Sequence, residues 1–105
     1  MPEAYIVEAV RTAGGRRGGR LAGVHPVDLA ARSLDAIMER SGLEAKAVDD
    51  VVMGCVSQGG EQAMQVGRHA VLASKHLGEG VPAVTIDRQC GSSQQAIQFA
   101  AQAVM

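Results

Sequence analysis

No tryptophan occurs in this sequence, and Tyr5 and Phe99 are its only aromatic residues. A surface that stacks nucleic-acid bases needs several aromatics, so that class is excluded. Neither sign of charge is in excess: 10 basic against 11 acidic residues leave a formal net charge of -1, which removes the electrostatic case for a polyanion binder. The two cysteines, Cys55 and Cys90, cannot build a disulfide framework. Met1-Pro2-Glu3 lacks a basic leader followed by an apolar run, so the expected location is a reducing cytoplasm. No run approaches about 18 uninterrupted apolar residues, and a membrane-spanning helix is excluded.

What is present is aliphatic. Hydrophobic residues make up 47% and charged residues 20% of the 105, the balance of a globular chain with a core of Ala, Val, Leu, Ile and Met. That length is room for one modest domain.

The hydrophobic pattern alternates strand and helix. Tyr5-Ile6-Val7-Glu8-Ala9-Val10 reads as a strand, ended by Arg11-Thr12 and a glycine cluster. Residues 11–23 follow as a loop rich in Gly and Arg. Pro26 suits the first turn of a helix with Val27, Ala30, Ala31, Leu34, Ile37 and Met38 on one face. Asp28, Arg32, Asp35 and Glu39 lie opposite, and Gly42 is placed to cap the end. Val51-Val52-Met53-Gly54-Cys55-Val56 is nearly continuous apolar sequence, as in a strand covered on both faces. A second helix is predicted from about Met64 to His76, with Gly78 stopping it. Ala83-Val84-Thr85-Ile86 reads as a third strand, and a third helix begins near Cys90 or Gly91. Three β-then-α units predict an α/β fold with a mostly parallel sheet.

The last helix is unusual. From Gln89 to Met105 there is no charged residue, and four glutamines interrupt Ala96, Ile97, Phe99, Ala100, Ala101, Ala103 and Val104. A surface helix carries charge on its outer face, so this one is expected to be buried on most sides. Such burial needs a further layer that 105 residues cannot supply. The expectation is the front piece of a longer protein; a small subunit that buries the helix against a partner is the alternative.

Cys90 stands between a strand and a helix, in Asp87-Arg88-Gln89-Cys90-Gly91-Ser92-Ser93. A thiol at a helix N-terminus meets unpaired N–H groups and the positive end of the dipole, which favour thiolate. Arg88 adds positive charge, Gly91 and Ser92 leave room for a ligand, and Ser92 or Ser93 is placed to cap the helix. The opposing reading is an inert buried cysteine, the commoner fate of a free thiol. A nucleophile also needs a base, and none is near in sequence. Cys55, in an apolar strand, reads as a packed thiol. The Cys55–Cys90 separation matches no zinc spacing, so no metal site is expected. Gly14-Gly15-Arg16-Arg17-Gly18-Gly19-Arg20 contains neither nucleotide-binding glycine pattern and reads as a solvated loop rather than a phosphate cradle.

Asp87-Arg88-Gln89-Cys90-Gly91-Ser92-Ser93-Gln94-Gln95-Ala96 resembles the nucleophile segment of the thiolases. Val7-Glu8-Ala9-Val10-Arg11-Thr12 is similar to that family's opening, and Val51–Gln58 to its second strand and turn. Gly60-Glu61-Gln62 with Arg68 is similar to the following loop and helix. Asp87 stands where many thiolases have Asn, and Ala13 where many have Pro. The resemblance implies that residues 1–105 are the N-terminal portion of a thiolase N-terminal domain. The fold would be the first three βα units of a thiolase-fold half, with a buried helix after the third strand. The implied activity is that of an acetyl-CoA acyltransferase, with Cys90 as its nucleophile. It cleaves 3-ketoacyl-CoA with CoA or runs the reverse condensation, and the 105 residues alone are expected to be inactive. Acyl-CoA and CoA are substrates, with no metal, no bound cofactor and no nucleic-acid or membrane partner implied. A homodimer or homotetramer is implied, with Gln62 and Gln65 as interface candidates. The family's histidine base and second cysteine have no counterpart here. His25, His69 and His76 do not match its motif and read as surface or helix-end residues.

Three other readings compete. A decarboxylating condensing enzyme of the ketoacyl synthase type shares the Asp-x-x-Cys-x-Ser-Ser outline, but usually has small residues where Arg88 and Gln89 stand. A non-catalytic truncated module would account for the missing base. A cysteine peroxidase would need a peroxidatic context and a resolving cysteine, and neither is present.

Overall fold

The computed structural model describes residues 2–105. Its elements run α1 (Pro26–Ser41), β1 (Val51–Gly54), α2 (Val66–Ala73), β2 (Ala83–Ile86) and α3 (Ser92–Val104), with short 3-10 turns at Ala45–Ala47 and Gly60–Gln62. The architecture is α/β. β1 and β2 pair in parallel, Val51 opposite Ala83 through Gly54 opposite Ile86, so the chain crosses over through α2 between them.

Local chemistry explains α1 at both ends. His25 is its N-cap, with Nδ1 accepting from the Val27 N–H at 3.1 Å, and Pro26 opens the first turn. Gly42 adopts φ 71° and returns its N–H to the Met38 carbonyl at 3.0 Å, a conformation glycine enters without a Cβ penalty.

α2 is shorter than its periodicity predicts. Met64 and Gln65 are both left-handed, with φ 60° and 75°, so the helix begins only at Val66. At the other end Ser74 leaves the helix with ψ 152°, and its hydroxyl donates to the Val71 carbonyl at 2.7 Å. The Asp35 carboxylate of α1 then accepts from the Lys75 and His76 N–H groups at 2.9 to 3.0 Å. A long-range acceptor wins those donors, and no sequence period can announce it.

Successive side chains of a strand point to opposite faces. A Cβ placed on Gly67 of α2 would meet Thr85 Oγ1 and Met53 Cβ, so α2 lies over the face that carries Met53 and Thr85. A Cβ on Gly54 would meet the backbone of Ser92 and Ser93, so α3 lies over the other face. α1 packs on α2. The core gathers Met38, Val71, Leu77 and Val81, with Leu34, Val48, Val51 and Ala83 against them.

Two expectations need correction. The strand predicted over residues 5–10 is absent, and Tyr5, Ile6 and Val7 are 78, 84 and 78% exposed. A strand needs a neighbour for its N–H and C=O groups, and among the described residues β1 and β2 pair only with each other. The sheet therefore has two strands, not three. The helix after β2 is not buried either. Within α3 only Ser92 and Ala96 are buried, while Ile97, Phe99 and Val104 are exposed. The sheet covers one stripe of α3, and among the described residues no other element covers the rest. Among the described residues no helix is long and apolar enough to cross a membrane.

Candidate active site

β2 ends at Ile86 and α3 begins at Ser92, leaving five residues to turn the chain. Asp87 Oδ1 accepts from the Gln89 N–H at 2.8 Å, the turn an Asp side chain builds two residues ahead. Gln89 is left-handed with φ 48°. The Gly91 N–H reaches the Arg88 carbonyl at 3.0 Å, and the Ser92 N–H reaches the Gln89 carbonyl at 3.1 Å. Cys90, at the crest of this turn, is exposed.

Ser92 works differently from expectation. The residue is 4% exposed. The hydroxyl accepts from the Arg88 N–H at 2.9 Å and donates to the Gln89 carbonyl at 2.7 Å. It staples the two residues before Cys90 and does not cap α3, whose N-cap is Gly91 with no side-chain bond. Arg88 sends its guanidinium to the Gln95 amide oxygen, on the flank of α3. Gly91 has room around it, the nearest heavy atom to an added Cβ being the Arg88 carbonyl oxygen at 3.6 Å.

Gly54 sets the depth of the site. An added Cβ there would sit 2.3 Å from the Ser93 nitrogen, so only a glycine lets β1 and the start of α3 approach this closely. The turn is thus held from both sides, by β2 through the chain and by β1 through α3.

The other flagged residues lie elsewhere. Cys55, just past β1, is half-buried rather than packed in the core. Its sulfur donates to the Ser57 carbonyl at 3.6 Å and accepts from Gln62 Nε2 at 3.4 Å. It lines a cleft of about 300 Å3 with Thr12, Ser33, Met53 and Val66 among others. His25 caps α1, His69 is exposed on α2, and His76 Nε2 lies 2.9 Å from Glu39 Oε1. Arg16, Arg17 and Arg20 are exposed on the glycine-rich loop. Among the described residues no three His, Cys, Asp or Glu groups gather as metal ligands would. Gln62 and Gln65, the interface candidates, both bond within their own chain: Gln62 to Cys55 and Ser57, Gln65 to Ala83, Thr85 and Arg68. Sequence reasoning missed the link from Gln65 to Thr85, because 20 residues separate the partners.

Comparison with known proteins decides the family. The model of the thiolase N-terminal domain matches residues 4–105, the turn at Cys90 included. The chain belongs to the thiolase family, through that family's N-terminal domain. It is 55% identical over its whole length to a steroid 3-ketoacyl-CoA thiolase of Mycobacterium tuberculosis, covering 26% of that protein. It is 44% identical over 99% of its length to a β-ketoadipyl-CoA thiolase of Escherichia coli, again covering 26%. In three dimensions it is similar to the crystal structure of the Bacillus anthracis acetyl-CoA acetyltransferase, with a TM-score of 0.85 and 39% identity. That likeness covers 95% of this chain and 25% of the other. The chain thus spans about a quarter of the length of these thiolases.

Proposed function

We propose that Cys90 is the nucleophile of an acyl-CoA acyltransferase. The observation that carries the reading is an exposed thiol on a strained five-residue turn leading into α3. The Gly91 and Ser92 N–H groups already bond the Arg88 and Gln89 carbonyls, so what the start of α3 offers the sulfur is the positive end of the helix dipole, which favours the thiolate.

In the degradative direction the Cys90 sulfur attacks the C3 carbonyl carbon of a 3-ketoacyl-CoA. The tetrahedral oxyanion collapses, the C2–C3 bond breaks, and acetyl-CoA leaves as a carbanion equivalent that takes up a proton. CoA thiolate then attacks the acyl-cysteine carbonyl and releases a shortened acyl-CoA and the Cys90 thiolate. The covalent intermediate divides one difficult transfer into two easier ones. The reverse sequence is a Claisen condensation. The base that takes the Cys90 proton and the acid that protonates acetyl-CoA lie outside these 105 residues, so the isolated chain is inactive. Names of the relatives, among them 3-ketoacyl-CoA and β-ketoadipyl-CoA thiolases, support this substrate class.

The working form is a homo-oligomer in the cytoplasm. Among the described residues β2 has a neighbour on one edge only, and Val84 is 42% exposed. Gln65 takes the Ala83 carbonyl on that edge, but no second strand lies there, and an uncharged edge of this kind invites pairing that a second copy would supply.

The test is acid-quenched mass spectrometry after incubation with acetyl-CoA. The 105-residue chain is compared with a chain of its relatives' length that begins with these residues. Acetyl on Cys90 of the long chain only is the expected result. Acylation from acyl carrier protein or malonyl donors alone would point to a decarboxylating condensing enzyme. Modification at another residue, or none in the long chain, removes Cys90 from its role.

A further inference from the structure

Gln65 is an odd residue to find where it is. It is the N-cap of α2, yet it is left-handed at φ 75° and ψ 68°, whereas N-caps are ordinarily extended. Left-handed backbone is unfavourable for a residue with a Cβ and persists only where surrounding contacts hold it. Met64 beside it is also left-handed but 82% exposed, so the fixed part is the Gln65 side chain.

That side chain spans from α2 to β2. Nε2 donates to the Ala83 carbonyl at 2.9 Å, and Oε1 accepts from the Thr85 hydroxyl and, at 3.4 Å, from the Arg68 N–H. The same Thr85 oxygen accepts from the Gly67 N–H at 3.0 Å. The Ala83 carbonyl is left free by β1 to take this partner. β1 takes the Pro82 and Ile86 carbonyls through the Val51 and Cys55 N–H groups. By the alternation of a parallel ladder, Ala83 and Thr85 therefore face the open edge.

We propose that Gln65 is a positioning residue for Cys90, setting β2 against α2 and thereby setting the turn that presents the sulfur. This inference rests on reading Cys90 as the nucleophile. The turn has five residues, with α3 seated on Gly54 at its far side and Thr85 two residues before Asp87 at its near side. A shift of β2 relative to α2 has no slack in which to dissipate, and it reaches Cys90 through the covalent chain.

The experiment uses the chain of its relatives' length that begins with these residues, with labelling assigned to Cys90 by peptide mass spectrometry. It reads the rate of Cys90 alkylation by iodoacetamide, native and in urea, and amide exchange at Gly91 and Ser92 against exchange in α1. Thr85→Val removes the hydroxyl at nearly constant shape, and Thr85→Ser restores it. Gln65→Gly removes the side chain while easing the left-handed backbone. We expect native Cys90 to react faster than in urea. Thr85→Val and Gln65→Gly each slow it about fivefold, the size of a coupling between packed neighbours. Both speed exchange at Gly91 and Ser92 with α1 unchanged, and Thr85→Ser returns to the parent values. Variants that keep α1 protection, Cys90 rate and turn exchange unaltered would leave Gln65 a simple cap and overturn the positioning role, with the nucleophile reading intact. Loss of α1 protection along with the turn, in both variants, would likewise overturn it in favour of a general stability effect. Native Cys90 reacting no faster than in urea would remove the nucleophile reading, and this inference with it.

Discussion

Both strands of this chain lead to a cysteine and then a helix, and the two connections differ in every physical respect. From β1 the chain wanders through residues 55–65 before α2, and Cys55 sits half-buried with Gln62 and Ser57 on its sulfur. From β2 it turns in five residues, and Cys90 is exposed on a crest stapled beneath by Asp87 and Ser92. The long connection spends its polar groups on its cysteine. The short one spends them on backbone and leaves the sulfur accessible. Accessibility of the sulfur therefore follows from where hydrogen bonds go, more than from which residue is a cysteine.

Substitutions can break or sharpen that contrast. The largest effect belongs to Gly54→Ala, which drives a Cβ into the Ser93 backbone; overpacking against main chain should cost about 3 kcal/mol in urea unfolding and loosen α3. Ser92→Ala should follow at about 1 kcal/mol, because the Arg88 N–H loses its acceptor while the Gln89 carbonyl keeps the Ser92 N–H. In the native chain Cys90 should be labelled by iodoacetamide about tenfold faster than Cys55, in keeping with exposure controlling thiol access; equal rates by mass spectrometry would erase the distinction between the two turns. Gln62→Ala should raise the labelling rate of Cys55 and leave Cys90 alone, at about 0.5–1 kcal/mol in stability for a lost partly exposed hydrogen bond. Gly91→Ala should be nearly silent, within about 0.5 kcal/mol by thermal melting, since its φ of -99° suits any residue and its surroundings are open.

Much was legible along the chain because its causes are local. α1 was readable from Pro26, its apolar stripe and Gly42, and the bounds of β2 were read as they stand. The setting of Cys90 between strand and helix was read from the strand Ala83–Ile86 and a helix expected near Cys90 or Gly91, which begins at Ser92. What escaped was set by partners far along the chain. Asp35 cut α2 short from 40 residues away, Thr85 held Gln65 from 20, and residues 5–10 have strand-forming side chains but no strand beside them. The uncharged run of α3 was visible, but its burial was not, because burial belongs to whatever packs against a helix and not to the helix.

By itself, the sequence determined the elements whose signals lie within one turn of helix or one pair of strand residues, and it named Cys90 as the residue to watch. Tertiary structure alone decided which face of the sheet each helix covers, that Ser92 braces the turn, and that Gln65 reaches β2. The division has a simple physical origin: capping and periodicity act over a few bonds, whereas a hydrogen bond or a close backbone approach is specified only once distant segments have been brought together.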